Sequence, residues 1–146
     1  LSKKKNSYAL SKIESEKVFK RKKNFIILRL ASIIGKPMRK NTIYKILFFK
    51  NPKVALSAES KYTFVSYEEI LFFINLCIKK NISGTFNFLR KDFISLKKIS
   101  TFFKKKINFG DIYFKCVIGN NKKVLKHYNL NRTSSLHVLK KIKSIF

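Results

Sequence analysis

Apolar residues along the chain fall either in short unbroken runs or in helical stripes. The run Phe25–Leu30 is apolar apart from Arg29 and lacks the alternation of a half-exposed strand, so it predicts a buried strand of a parallel sheet. A second run, Thr85–Leu89, predicts another strand. Between them, residues 67–80 are apolar around much of a helical circumference, which indicates a helix buried against the sheet.

Polar residues mark where the helices begin. Ser66-Tyr67-Glu68-Glu69 has the form of a capping box, in which the serine and the second glutamate satisfy free N–H groups of the first turn. The pattern predicts helices over 7–22, 41–49, 67–80, 96–105, 120–127 and 134–145, and strands over 25–30, 54–56, 62–65, 85–89 and 112–118. This alternation favours α/β layers over a helical bundle.

Length and composition are consistent with one cored domain. The 146 residues are 45% hydrophobic, and no apolar stretch approaches the roughly 18 residues of a membrane span. Cys77 and Cys116 have no metal-binding spacing, and Cys77 is expected as a buried thiol in a reducing cytoplasm. His127 and His137 have no acidic neighbour, so no metal site is expected.

The formal net charge of +27 would ordinarily indicate a nucleic-acid partner. The basic residues are mostly lysines, and they accompany many Asn, Ile, Phe and Tyr residues, all encoded by AT-rich codons. The lysines are also spread over nearly every predicted helix. We therefore expect solvated surface and no specific nucleic-acid partner, although a small basic, ribosome-associated nucleic-acid-binding protein is the alternative.

Tyr8 and Lys12 form the main candidate for chemistry. Residues four apart lie on one helix face, their Cβ atoms roughly 5–6 Å apart. An ammonium beside a phenol favours the phenolate, so the pair can exchange a proton with a substrate hydroxyl or carbonyl. A surface Tyr–Lys pair on a basic helix is the simpler interpretation of this spacing alone.

The segments that follow the pair strengthen the catalytic interpretation. Tyr8-x-x-Ser11-Lys12 precedes the run Phe25–Leu30 and then Ala31-Ser32-Ile33-Ile34-Gly35-Lys36-Pro37. This succession resembles the extended short-chain dehydrogenase/reductases, the NAD-dependent epimerase/dehydratase family. The resemblance continues, in the family's order, through residues 62–70, 84–88 and 94–99.

The resemblance implies an α/β fold, the C-terminal part of a Rossmann-like doubly wound sheet with a small substrate-binding lobe. It implies a single partial domain over 1–146. Residues 7–50 would hold the catalytic helix, strand and following helix, and 51–146 a mixed substrate lobe and the last sheet elements. The four glycines of the chain are too far apart for a dinucleotide phosphate loop. We therefore expect the chain to be a fragment of a longer enzyme.

The resemblance also assigns roles to four residues. Tyr8 would be the general acid/base, and Lys12 would support it and bind the nicotinamide ribose, so both would contact NAD or NADP. Ala31 would touch the nicotinamide, and Ser32 would stand where the family has a substrate-binding Asn. Tyr62 replaces the family's substrate-contacting Arg, which weakens the expectation of phosphate recognition there.

These expectations lead to an NAD(P)-dependent epimerase, dehydratase or reductase acting on a sugar or nucleotide sugar. The fragment alone would be inactive. The expected setting is cytoplasmic, without a membrane partner, and compatible with a homodimer. A third alternative is a catalytically silent relative that serves as a binding or scaffold subunit.

Overall fold

The computed structural model describes residues 7–116 and 119–144. Helices and strands alternate along them, as the sequence pattern predicts. The helices are α1 (Ser7–Lys20), α2 (Thr42–Phe48), α3 (Tyr67–Lys79), α4 (Leu96–Phe102), α5 (Lys122–Leu125) and α6 (Ser135–Lys143), with a 3-10 turn at Leu130–Arg132. The strands are β1 (Ile26–Leu30), β2 (Ser32–Ile34), β3 (Lys53–Leu56), β4 (Lys61–Tyr62), β5 (Phe64–Ser66), β6 (Gly84–Phe88), β7 (Ile94–Ser95) and β8 (Asn108–Ile112).

Most of the strand pairs are parallel. β1 pairs with β6, β2 with β5 and β3 with β8 in parallel, whereas β4 and β7 are antiparallel. β1 is therefore a parallel strand, as predicted, but it is half-buried rather than buried on both faces, since Arg29 and Leu30 are exposed. Its inward side chains, Ile26 and Leu28, pack on the core.

The strand segment from Ile26 to Ile34 changes its hydrogen-bonding partner midway. The N–H of Ala31 donates to the carbonyl of Phe88, at the end of β6, at 3.1 Å. The next N–H, that of Ser32, donates to the carbonyl of Thr63, just before β5, at 3.2 Å. The segment therefore pairs with β6 up to Ala31 and with β5 from Ser32 onward.

Two hydrophobic clusters lie on either side of this change of partner. One packs β1, β6 and α3 around residues such as Phe73 and Phe88. The other packs α2, α4 and α6 around residues such as Ile46, Leu96 and Leu139. The division of the sequence near residue 50 stays a prediction, because both clusters draw on residues before and after it.

A buried ion pair fixes the first turn of α3. The predicted capping box is present: the N–H of Glu69 donates to Ser66 Oγ, and the N–H of Ser66 donates to Glu69 Oε2. The other carboxylate oxygen of Glu69 accepts from the fully buried guanidinium of Arg90, which also donates to the Leu130 carbonyl. Arg90 thus joins the end of β6 to α3 and to the 3-10 turn.

The strand predicted over 112–118 is present only in part: Ile112 ends β8, and Lys115 forms an isolated parallel bridge with Lys61. The strand lies earlier, at Asn108–Ile112, and pairs with β3, while Tyr113 and Phe114 are exposed. Gly110 lets β8 approach β3 closely, because a Cβ there would lie 2.3 Å from the backbone oxygen of Ala55. Residues 117 and 118 lie outside the described part.

Several other boundaries differ from the prediction. α4 ends at Phe102 rather than 105, since Lys104 adopts a left-handed backbone conformation with φ of 50°. The helix predicted over 120–127 is a single turn, α5. Strand β2 was not predicted, because three residues are too few to show a period.

One ion pair attaches α1 to the sheet. Glu16 accepts two hydrogen bonds from Arg29 of β1, at 2.8 Å to Nε and 2.7 Å to Nη2. Such bidentate pairs are directional as well as attractive. Lys20 lies 3.4 Å from the same carboxylate. The pair therefore sets the position of α1 along β1.

Removing Arg90 should destabilise the fold strongly. Arg90→Ala leaves the Glu69 carboxylate and the Leu130 carbonyl without their buried donor, so we expect the free energy of unfolding to fall by about 3–5 kcal/mol. Urea denaturation followed by circular dichroism measures the change. The control is Arg39→Ala, which removes an exposed guanidinium and should change that free energy by less than about 0.5 kcal/mol. Equal effects of the two substitutions on the free energy of unfolding would show that the buried contacts of Arg90 do not stabilise the fold.

The attachment of α1 should weaken in acid. Hydrogen bonding from Arg29 lowers the pKa of Glu16 below its ordinary value of 4.5. A carboxyl whose folded pKa is lowered stabilises above the unfolded pKa, and this contribution is lost as pH falls through the folded pKa. We expect α1 amides, corrected for intrinsic exchange, to lose hydrogen-exchange protection in that range. Because Arg29 is half-exposed, the loss should not exceed about 1 kcal/mol.

The matched control for this acid effect is Glu14→Gln. Glu14 pairs only within α1, with Lys17, so its loss should leave the acid-dependent step in place. Glu16→Gln should remove that step and lower the protection at neutral pH. A Glu16→Gln chain that kept the wild-type pH profile would contradict the proposed attachment.

Candidate active site

Helix α1 carries the predicted Tyr–Lys pair on an exposed helix. None of its residues is buried, and its hydroxyl side chains bond locally. Ser11 Oγ donates to the Tyr8 carbonyl at 2.8 Å, and Ser15 Oγ donates to the Ser11 carbonyl at 2.9 Å. Such back-bonding satisfies the serines within the helix. Ser11, the serine of the motif, therefore has a local structural role.

The structure brings Tyr8 and Lys12 together. The Lys12 ammonium lies 5.4 Å from the centroid of the Tyr8 ring, within the range of a cation–π contact. The Tyr8 side chain is open to an incoming molecule, with 68% of its surface exposed. The pair thus combines an exposed phenol with a cation close to its ring.

One ion pair relates the Tyr–Lys pair to the sheet. Tyr8 lies eight residues, about 12 Å of helix, before Glu16, which contacts Arg29 of β1. Ser32 follows Arg29 by three residues on the strand segment.

Ala31 and Ser32 occupy the change of partner itself. Both are half-buried, and their N–H groups are already used in the two ladders. Contacts from Ala31 to a ligand would therefore be made through its methyl group or carbonyl. Ser32 retains a hydroxyl that can donate and accept one hydrogen bond each way.

Tyr62 lies within an aromatic cluster rather than in a charged subsite. Its ring stacks on Phe64 with centroids 5.8 Å apart, and Phe114 lies 5.0 Å away. Burial, with a smaller effect of Cys116, raises the pKa of Tyr62 above its ordinary value, so it is neutral at physiological pH. A neutral phenol at this position cannot replace the family's arginine as a phosphate-binding cation.

A polar cavity of about 340 Å³ was not predicted from the sequence. It lies between α3 and α6, and its rim includes Glu68, His137 and Lys141. A hydrogen bond from Ser66 is the main reason that the pKa of Glu68 is lowered, and Lys141 adds a smaller effect. The sequence gives no signal for this cavity, because α6 lies almost 70 residues beyond α3.

Neither a metal-binding cluster nor a membrane-spanning helix is found in the described part of the chain. Residues 7–116 and 119–144 contain no cluster of three or more His, Cys, Asp or Glu side chains that could hold a metal ion. Over the same ranges, no helix has both the length and the apolar composition needed to cross a membrane. Cys77 is buried, as predicted.

Comparison with known proteins connects this geometry to solved structures. No protein-family model and no curated protein sequence matches the chain. UDP-N-acetylglucosamine 4-epimerase from Bacillus cereus is 17% identical with a TM-score of 0.68, and the match covers 99% of this chain and 58% of that one. RMD from Pseudomonas aeruginosa, complexed with NADPH, is 13% identical with a TM-score of 0.73, over 96% of this chain and 55% of that one.

A reductase gives a similar result. dTDP-4-dehydrorhamnose reductase from Bacillus anthracis, in complex with NADP, is 18% identical with a TM-score of 0.74, over 95% of this chain and 55% of that one. The chain thus spans little more than half the length of the solved structures it matches. The predicted α/β fold is confirmed: over nearly its whole length, the chain has the Rossmann-like fold found in nucleotide-sugar epimerases and a dehydrorhamnose reductase.

Proposed function

We propose that this chain is part of an NAD(P)-dependent epimerase, dehydratase or reductase that acts on a sugar or nucleotide sugar. The observation that carries the proposal is the exposed Tyr8 with Lys12 one turn away, on a helix that an ion pair attaches to a parallel strand. Solved structures with this fold include epimerases of UDP-sugars and a reductase in complex with NADP.

Tyr8 would move the proton in this reaction. Its phenol oxygen would take the proton from a substrate hydroxyl as the alcohol becomes a ketone, and return it in the reverse direction. The nicotinamide, when bound, supplies the hydride acceptor or donor. Lys12 would bind the nicotinamide ribose. Ser32 would orient the substrate, and Ala31 would border the nicotinamide, both from the change of strand partner.

The residues present fit only the nicotinamide end of the cofactor. Tyr8 and Lys12 offer a hydroxyl and an ammonium to a ribose and a substrate. Gly35, Gly84, Gly110 and Gly119 are too widely spaced for a loop that wraps a pyrophosphate. The pyrophosphate would therefore be bound by residues beyond this chain.

We propose that additional polypeptide covers α1 in the whole enzyme. Leu10, Ile13, Val18 and Phe19 are all exposed on this helix, and in the described residues β1 has a strand partner on one edge only. Parallel sheets are normally covered on both faces and contain more than two strands. A larger sheet docked on β1 would bury these side chains and supply the phosphate-binding loop.

The cytoplasmic setting and a homodimer remain parts of this proposal. A specific nucleic-acid partner is not part of this proposal. The catalytically silent relative differs from the proposed enzyme in a single measurable respect, the need for Tyr8.

Replacing Tyr8 should abolish most of the activity of the intact enzyme. Tyr8→Phe keeps the ring under Lys12 but removes the proton-carrying oxygen, so we expect kcat to fall about 10²–10⁴-fold. The assay follows NAD(P)H absorbance with UDP- or dTDP-hexose substrates. Tyr113→Phe, which removes an equally exposed hydroxyl, should retain full activity. Unchanged activity of Tyr8→Phe would identify a silent relative or another acid/base group.

The 146-residue chain by itself should bind NADH weakly and show no turnover. It lacks the phosphate-binding loop, from which a dinucleotide site draws much of its affinity. Fluorescence titration measures the binding, with the whole enzyme as the positive control. Tight NADH binding by the isolated chain would contradict the proposal that the cofactor site is completed by further polypeptide.

A further inference from the structure

A basic cavity of about 490 Å³ lies on the outer face of the β1–β6 pair. Cross-strand neighbours Arg29 and Asn87 contribute to it. Their side chains point away from the core cluster, because Leu28 and Phe86 on the alternate positions pack inward. Its volume is within the range of small-molecule sites, about 300–1,000 Å³.

Four basic side chains from three separate segments line this cavity. Lys20 is at the end of α1, Arg29 is on β1, and Lys122 and Lys123 begin α5. Of the described residues that line it, none is acidic. The cavity between α3 and α6 differs, because its lining balances Glu68 and Glu69 against Lys141 and His137. The basic cavity is therefore a local excess of positive charge within a concave surface.

One carboxylate at the edge offsets only part of this charge. Glu16 contacts both Arg29 and Lys20 and neutralises one unit. Lys122 and Lys123 form no ion pair among those found in the described residues. About three positive charges therefore remain uncompensated, and an anion would relieve their mutual repulsion.

The segment that carries the two lysines is held in place by side-chain amides. Asn87 Nδ2 donates to the carbonyl of Asn120 at 2.9 Å, and the buried Asn121 donates to the carbonyl of Leu89 at 2.9 Å. The N–H of Lys122 donates to Asn120 Oδ1 at 2.9 Å. These bonds fix the backbone that carries the lysines. Less conformational entropy of the protein is therefore lost when a ligand binds.

We propose that this cavity binds a small phosphate-bearing anion, with two or three linked phosphates. Lysine and arginine bind phosphate through short, charge-assisted hydrogen bonds. A single phosphate would leave most of the volume empty, whereas a linear polyphosphate can contact lysines from both walls. The ring of Phe25 borders the cavity and offers an apolar surface to a group attached to the phosphates.

This site is separate from the proposed active site. Lys20 is twelve residues from Tyr8, about 18 Å along α1. Binding here requires neither a dinucleotide nor Tyr8, so its failure would leave the proposed function untouched.

The experiment titrates the 146-residue chain with inorganic tripolyphosphate by isothermal calorimetry at about 0.15 M salt, where long-range attraction is screened beyond about 8 Å. The test variant is Lys122→Gln/Lys123→Gln. The matched control is Lys97→Gln/Lys98→Gln, which removes two adjacent exposed lysines from the first turn of another helix. The two variants have the same net charge, and circular dichroism checks that both are folded.

We expect saturable one-to-one binding that the test variant weakens about tenfold or more, and the control less than about twofold. Equal weakening by both variants would mean general attraction to a +27 chain and would overturn the proposal. Absence of saturable binding would also overturn it. The last outcome concerns a single-stranded RNA oligomer. If the oligomer displaced tripolyphosphate, bound more tightly and was equally sensitive to the loss of Lys122 and Lys123, the ligand would be an extended polyanion, and the proposal of a small anion would be overturned.

Discussion

The backbone hydrogen bonds of the strand segment Ile26–Ile34 determine how the rest of the structure is arranged. Every buried N–H must find an acceptor, and this segment satisfies its first half from β6 and its second half from β5. The change at Ala31 and Ser32 lets one continuous segment serve two hydrophobic clusters.

Local patterns in the sequence predicted local structure well. The Ser66–Glu69 capping box depends on residues three apart, and it is present with both of its hydrogen bonds. The Tyr8–Lys12 contact likewise depends on one helical turn. The strand at 112–118 was only partly right for the opposite reason. Its boundaries depend on contacts such as that between Gly110 and the backbone of Ala55, more than 50 residues apart, and β-propensity carries no information about them.

The candidate site was predictable in its residues but not in its arrangement. The spacing of Tyr8 and Lys12 and the resemblance to a known family identified the pair. The attachment of its helix to β1 depends on Glu16 and Arg29, which look like ordinary surface charges in a chain with 34 basic residues. The contacts of Arg90 with Glu69 and Leu130 were not predicted for the same reason. Nothing adjacent to Arg90 in the sequence distinguishes a buried arginine from an exposed one.

Charge alone is a poor guide to function in this chain, and geometry separates the informative lysines from the rest. Lys97 and Lys98 stand on an open helix surface, whereas Lys122 and Lys123 face a cavity bordered by Arg29 and the end of α1. The same helix therefore serves two proposed sites, Tyr8 at one end and Lys20 at the other. Those residues are about 18 Å apart along the helix, and the Glu16–Arg29 pair attaches the helix to β1 between them.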